Sequence, residues 1–255
     1  SDDSRDPFAG PVDPESFARP MPVDLGGLRV AFSEDLGFCP VDKDIRTVFR
    51  RKVAASKGLF RQCVKATPDF GEADRVFDVV RAVGYLARYQ KWYAEDPGKL
   101  GPNVRANYEQ GAAMSLADFA WAHSEQTAIY RRVQTFFKDF DLLITPTVPV
   151  TPFPWSQLYA THINGKPLAN YYHWLSLTYG ITLTGHPAIS IPAGVDHKAM
   201  PFGLQIVGRH AGDRFVLGAA HAMECAFAGM SELRRPVADL DKLLALSQKE
   251  PLHVP

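Results

Sequence analysis

Cysteine is scarce: Cys39, Cys63 and Cys225 are the three in 255 residues. Their odd number and wide spacing exclude a closed disulfide framework and any Cys-x-x-Cys metal pair, and predict a reducing, cytoplasmic setting. Surplus charge is also lacking. Lys plus Arg equals Asp plus Glu, 28 against 28, so composition supplies no global drive toward nucleic acid or an anionic membrane and leaves room only for local patches. No apolar run is long enough to span a bilayer, because the most apolar stretch, 175–195, is interrupted by Gly180, Gly185, His186 and Pro187. There is no signal peptide. Several catalytic signatures are missing as well: no Gly-x-Ser-x-Gly elbow, no phosphate-binding Gly-x-x-x-x-Gly-Lys loop, no Gly-x-Gly-x-x-Gly and no His-Glu-x-x-His. His162, His173 and His186 match no common ligand spacing, so neither a metal nor a cofactor is expected.

What is present is regular alternation. The acidic, proline-rich opening, 1–22, reads as a linker or surface segment that starts without methionine, as expected of a processed piece of a longer chain. Strands are predicted at 28–32, 62–66, 141–145, 188–191 and 202–207. Between them lie helices: one capped by Asp42 with Ile45, Val48, Phe49 and Val53 on its stripe, one at about 72–93, and a long one opened by a Ser115/Asp118 capping box. Further helices are predicted at 168–182 and from Asp213. Residues 95–103 and 147–167 read as loops, the first from Asp96-Pro97-Gly98 and Gly101-Pro102, the second from its prolines. Pro146 is expected to end its strand. Residues 23–235 thus form one α/β unit, with 236–255 a surface helix and tail.

Three segments stand out in order: "FDLLITPTVPVTPFP" at 140–154, "LTGHPAISIPAG" at 183–194 and "PFGLQIVGRHAGDRFVLGAAHAME" at 201–224. Each is an apolar strand delivering a turn constrained by proline or glycine. Together they resemble the carboxy-terminal half of the amidase signature family, and the opening "SDDSRDP" and "GLRVAF" fit the same resemblance. It implies a mixed β-sheet flanked by helices on both faces. It also implies hydrolysis of a carboxylic amide by a Ser–cis-Ser–Lys triad, in which a weak hydroxyl nucleophile needs a neighbouring base and backbone N–H donors for the oxyanion. Here no serine follows a glycine and no two serines are adjacent, so the Gly-Gly-Ser-Ser loop and the lysine that precedes it are expected outside the chain. Lys43, Lys52 and Lys57 read as solvated helix charges. No catalytic residue is assigned, and the chain alone is expected to be inactive.

The resemblance leaves this chain the wall of a pocket for a small-molecule amide. Thr145, Pro146 and Thr147 are candidates because ligand contacts in α/β folds gather at strand ends, although core punctuation explains them as well. Leu175 and Tyr179, four apart in the helix before "TGHPA", and Gly185 in that turn complete the set. Trp155 and Tyr159 are further aromatics in the long loop. A related tRNA amidotransferase protein of the A type would carry an acid where Leu175 stands and an arginine pair where Ala106 and Asn107 stand, which favours an amide hydrolase over it; Thr182 replaces the family's usual Asn. A third reading is a non-catalytic binding module derived from the fold. The implied protein partner is the remaining amino-terminal part of the amidase domain, with a homo-oligomer as the other way to cover the exposed surface.

Overall fold

The computed structural model describes residues 13–247; the opening motif at 1–7 and the last eight residues of the predicted tail lie outside them. Strand β1 (Arg29–Phe32) leads to helix α1 (Lys43–Ser56), then to β2 (Gln62–Lys65) and α2 (Ala73–Glu95). Asp42 caps α1 through its carboxylate and the Asp44 N–H, and Ile45, Val48, Phe49 and Val53 are buried as their spacing predicts. After α2 the chain forms α3 (Pro102–Ala113) and α4 (Leu116–Phe136). The Ser115/Asp118 box opens α4 reciprocally. Then follow β3 (Leu142–Pro146), the small strands β4 (His162–Ile163) and β5 (Lys166–Pro167), and α5 (Ser176–Thr184). The chain continues through β6 (Ala188–Val195), β7 (Pro201–Gly208), α6 (Asp213–Phe227) and α7 (Leu240–Ser247).

Five strands make one mixed sheet in the order β2-β1-β3-β7-β6. β1 runs parallel to both β2 and β3, whereas β7 is antiparallel to β3 and to β6. Side-chain alternation assigns the faces. Gln205 points at α5, where its amide bonds the Leu177 carbonyl. Gly208, three residues on and therefore on the opposite side, lies under Val216 of α6. α1 joins the α6 side through Lys52, which bonds the Glu232 carbonyl after α6. α2 and α4 pack with α5 on the other side. Among the described residues no helix is long and apolar enough to cross a membrane.

Several sequence expectations change. Pro146 ends β3 as expected, but from inside the ladder, as its last residue paired with Leu204, rather than from the position after it. Thr147 donates to Gly203, so the odd positions face β7 and the Pro146 nitrogen faces β1. β1 pairs with β3 only as far as Ile144, so no acceptor is left waiting for the missing N–H. The expected helix at 168–182 is shorter and later, because 170–175 is held by Asn170, whose side chain accepts from the Tyr172 and His173 N–H groups, and by a 3-10 turn at His173–Leu175. Gly101-Pro102 is not loop punctuation but a helix start, with Pro102 in the first turn of α3. The loop at 147–167 hides a hairpin turned by Asn164-Gly165, both at positive φ. Lys52, finally, is not solvated: its side chain is 1% exposed and pairs with Glu232 at 2.9 Å.

Candidate functional site

The strand-end candidates form a connected polar patch. Thr145 is fully buried, its hydroxyl donating to the Pro146 carbonyl (3.0 Å) and accepting from Gln205 Nε2 (3.0 Å). The same Gln205 nitrogen donates to the Leu177 carbonyl at 3.0 Å, so one side chain ties β3 and β7 to α5. Thr147 Oγ1 lies 2.7 Å from Ser190 Oγ on β6, across the bare backbone of Gly203. A Cβ at Gly203 would sit 2.8 Å from the Thr147 hydroxyl and 2.9 Å from that of Ser190, so only glycine admits this bridge.

Gly185 closes α5 in the left-handed conformation (φ 65°) that relieves the last turn. A cavity of about 470 Å³ opens beside it, lined by Thr178, Ile181, Thr182, Gly185, Gln205 and Asp213 among others. Gly185 also borders a neighbouring cavity of about 310 Å³ with Gln126, Tyr130 and His210. Beneath the turn, His186 stacks on Phe137 with ring centroids 5.1 Å apart, and its Nδ1 meets the Thr184 carbonyl at 3.0 Å. Burial pushes its pKa down to about 4, so the imidazole is neutral at pH 7.

Leu175 and Tyr179 stand elsewhere. Leu175 precedes the first turn of α5 and is half-buried. Tyr179 is buried against α2, stacked on Phe77 with centroids 4.0 Å apart, and its hydroxyl donates to Asp74. This contact belongs to a seam that sequence reading missed. Asp74, Asp78 and Arg81 recur at i, i+4 and i+7 along α2, one face of the helix. Asp78 accepts from Tyr172 (2.6 Å) and lies 3.3 Å from His173 Nε2, and Arg81 donates to Tyr171 (2.6 Å) and to the buried Asn107 (3.2 Å). Burial and the adjacent carboxylates push the Tyr179 and Tyr172 phenols far up, so both stay neutral. The hydrogen bond to Asp78 raises the His173 pKa. The available signals were this charged stripe on α2 and a lone glutamine inside the apolar strand "LQIVG".

The structure therefore brings Thr145, Gln205 and Gly185 toward one side of α5, whereas Tyr179 turns to α2 and lines no part of that cavity. Trp155 is 82% exposed and joins neither group. Burial pushes the Cys39 thiol far up, against a nucleophilic role. No group of three or more His, Cys, Asp or Glu side chains among the described residues is arranged to hold a metal ion.

The chain is 28% identical over 225 residues to an acylamidase of Rhodococcus erythropolis, covering 87% of this chain and 47% of that protein. It is 38% identical over 117 residues to the A-type subunit of the glutamyl-tRNA(Gln) amidotransferase of Prochlorococcus marinus (strain MIT 9215), covering 46% of this chain and 23% of that protein. Among solved structures, a bacterial aryl acylamidase of the amidase signature family superposes with a TM-score of 0.74 at 21% identity, over 88% of this chain and 48% of that one. A 6-aminohexanoate cyclic dimer hydrolase superposes with a TM-score of 0.71 at 22% identity, over 92% and 52%. The chain thus spans about half the length of these relatives, apart from the shorter amidotransferase match. The Amidase family model matches residues 1–217, and the chain belongs to that family.

Proposed function

We propose that the chain is the carboxy-terminal part of an amidase that hydrolyses the C–N bond of a small carboxylic amide. In this reading residues 23–235 belong to the amidase domain, flanked by a surface segment (1–22) and a helix and tail (236–255). The catalytic Ser–cis-Ser–Lys triad belongs to the amino-terminal part, which is the chain's first partner. The observation that carries the reading is a family match over residues 1–217 in a sequence with no Gly-Ser and no Ser-Ser step. Thr145, Pro146, Thr147 and Gly185 supply the wall of the substrate pocket in this reading, with Leu175 and Tyr179 behind it. The purified chain should show no turnover of an aryl amide, whereas the protein joined to its amino-terminal part should turn it over. Turnover by the chain alone, blocked by a serine-reactive inhibitor, refutes the proposal.

A role in a glutamine-dependent amidotransferase is the second reading, favoured by the higher local identity to such proteins. Leu175 argues against it, because an uncharged side chain cannot pair the ammonium of glutamine. Asn107, which is buried and bonded to Arg81 and Tyr171, argues the same way. Glutaminase activity of the joined protein would favour the second reading.

A further inference from the structure

A cavity of about 740 Å³ lies away from α5, between α1, the end of β6 and the turn after α6. Four cations line it in a chain whose overall charge is zero: Arg51 and Lys52 on α1, and Arg234 and Arg235 after α6. Two carboxylates face them, Glu224 and Glu232. Glu232 is already committed, bonded by Arg51 at 2.6 Å and by Lys52 at 2.9 Å. The Lys52 ammonium is fully buried and also donates to the Glu232 backbone carbonyl at 2.7 Å, which fixes the turn carrying the two arginines. A Cβ on Gly194 would come within 2.8 Å of that ammonium, so the cavity floor is built around the lysine. Among the described residues neither Arg234 nor Arg235 has an ion-pair partner, and both are exposed. Pro192 and Val237 supply apolar surface at the cavity, with the buried Phe227 behind them.

We propose that this cavity binds a small organic carboxylate, with Arg234 and Arg235 reading the anion and the Phe227 side receiving its apolar body. Guanidinium forks match the planar carboxylate, and the cavity is of the size that small ligands occupy. The site uses none of the residues assigned to the amide pocket, so it stands or falls separately from the proposed hydrolysis. The test is calorimetric titration of the 255-residue chain at low salt with phenylacetate, its neutral isostere phenylacetamide and inorganic phosphate. Phenylacetate should bind about tenfold or more tightly than phenylacetamide, and the exposed double variant R234A/R235A, its fold checked by circular dichroism, should lose that difference. Equal affinity for acid and amide, an unchanged double variant, or no binding of phenylacetate overturns the proposal. Phosphate bound as tightly as phenylacetate overturns the assignment of an apolar body.

Discussion

Thr145→Val isolates the bond network that joins β3 to α5. Valine keeps the shape and β-propensity of threonine, so the substitution removes the hydroxyl with no cavity to speak of. Thr145 is fully buried, and its hydroxyl makes two bonds at 3.0 Å, to the Pro146 carbonyl and from Gln205. Each neutral buried bond contributes about 0.5–1.5 kcal/mol net, and the partner left unsatisfied pushes the cost to the upper part of that range. The expected loss is about 2 kcal/mol, a fall in Tm of about 4–8 °C for a chain of this size. Urea unfolding should show a lower midpoint with an unchanged slope, since the exposed surface does not change. Combining it with Gln205→Leu should give a coupling of about 1 kcal/mol, because the second substitution removes a bond already lost. A Thr145→Val protein within about 0.3 kcal/mol of the parent, or strict additivity with Gln205→Leu, would refute the network.

Other expectations follow from single positions. His173 should titrate above the ordinary histidine value of about 6.5, and Asp78→Asn should bring its midpoint down in an NMR titration. The stabilisation from that pair is fully present below the unfolded value and is lost as pH rises through the raised folded one, so the variant should flatten the pH dependence of stability there. Gly185→Ala should cost about 1–2 kcal/mol in urea unfolding, from the left-handed backbone alone, because a Cβ there meets nothing nearer than 3.9 Å. Gly111→Ala should cost about 1–3 kcal/mol, since its Cβ would lie 2.8 Å from the Ala82 carbonyl carbon and push α3 off α2. A Gly111→Ala protein as stable as the parent would mean the two helices do not touch at that point.

The elements that sequence made legible are those whose burial follows one period. α1 carries the stripe Ile45, Val48, Phe49 and Val53, and its buried face matches the expectation; α6, expected from Asp213, buries Val216, Ala219 and Met223 at the same period. α3 carries no such stripe. It packs instead by bringing Gly111 onto the backbone of α2, a contact made by the absence of a side chain and invisible to a search for apolar ones. Lys52 shows the same limit from the charged side. Its position, four residues after Val48 and three after Phe49, lies on the buried face of α1, but its charge reads as solvated until the return of the chain at Glu232, 180 residues later, gives the ammonium its partners. The Asn164-Gly165 turn was legible by type but lay in a stretch dominated by prolines, which hid strands of two residues each.

The candidate pocket shows how a helix boundary decides a spacing argument. Four-residue spacing places Leu175 and Tyr179 on one face only if both belong to the same helix, and α5 begins at Ser176. Within α5 and its cap, Thr178, Ile181, Thr182 and Gly185 stand at i, i+3, i+4 and i+7, which is one face. These are the residues that line the 470 Å³ cavity with Gln205. Tyr179 lies on the flank of that face, turned toward α2 and held by Asp74 and Phe77. Rotating the argument by one position turns a pair of residues into a wall. Tyr179 does not line the cavity; its bond to Asp74 and its stack on Phe77 hold α5 against α2. Tyr179→Phe should therefore act on the cavity by loosening α5 rather than by removing a ligand contact.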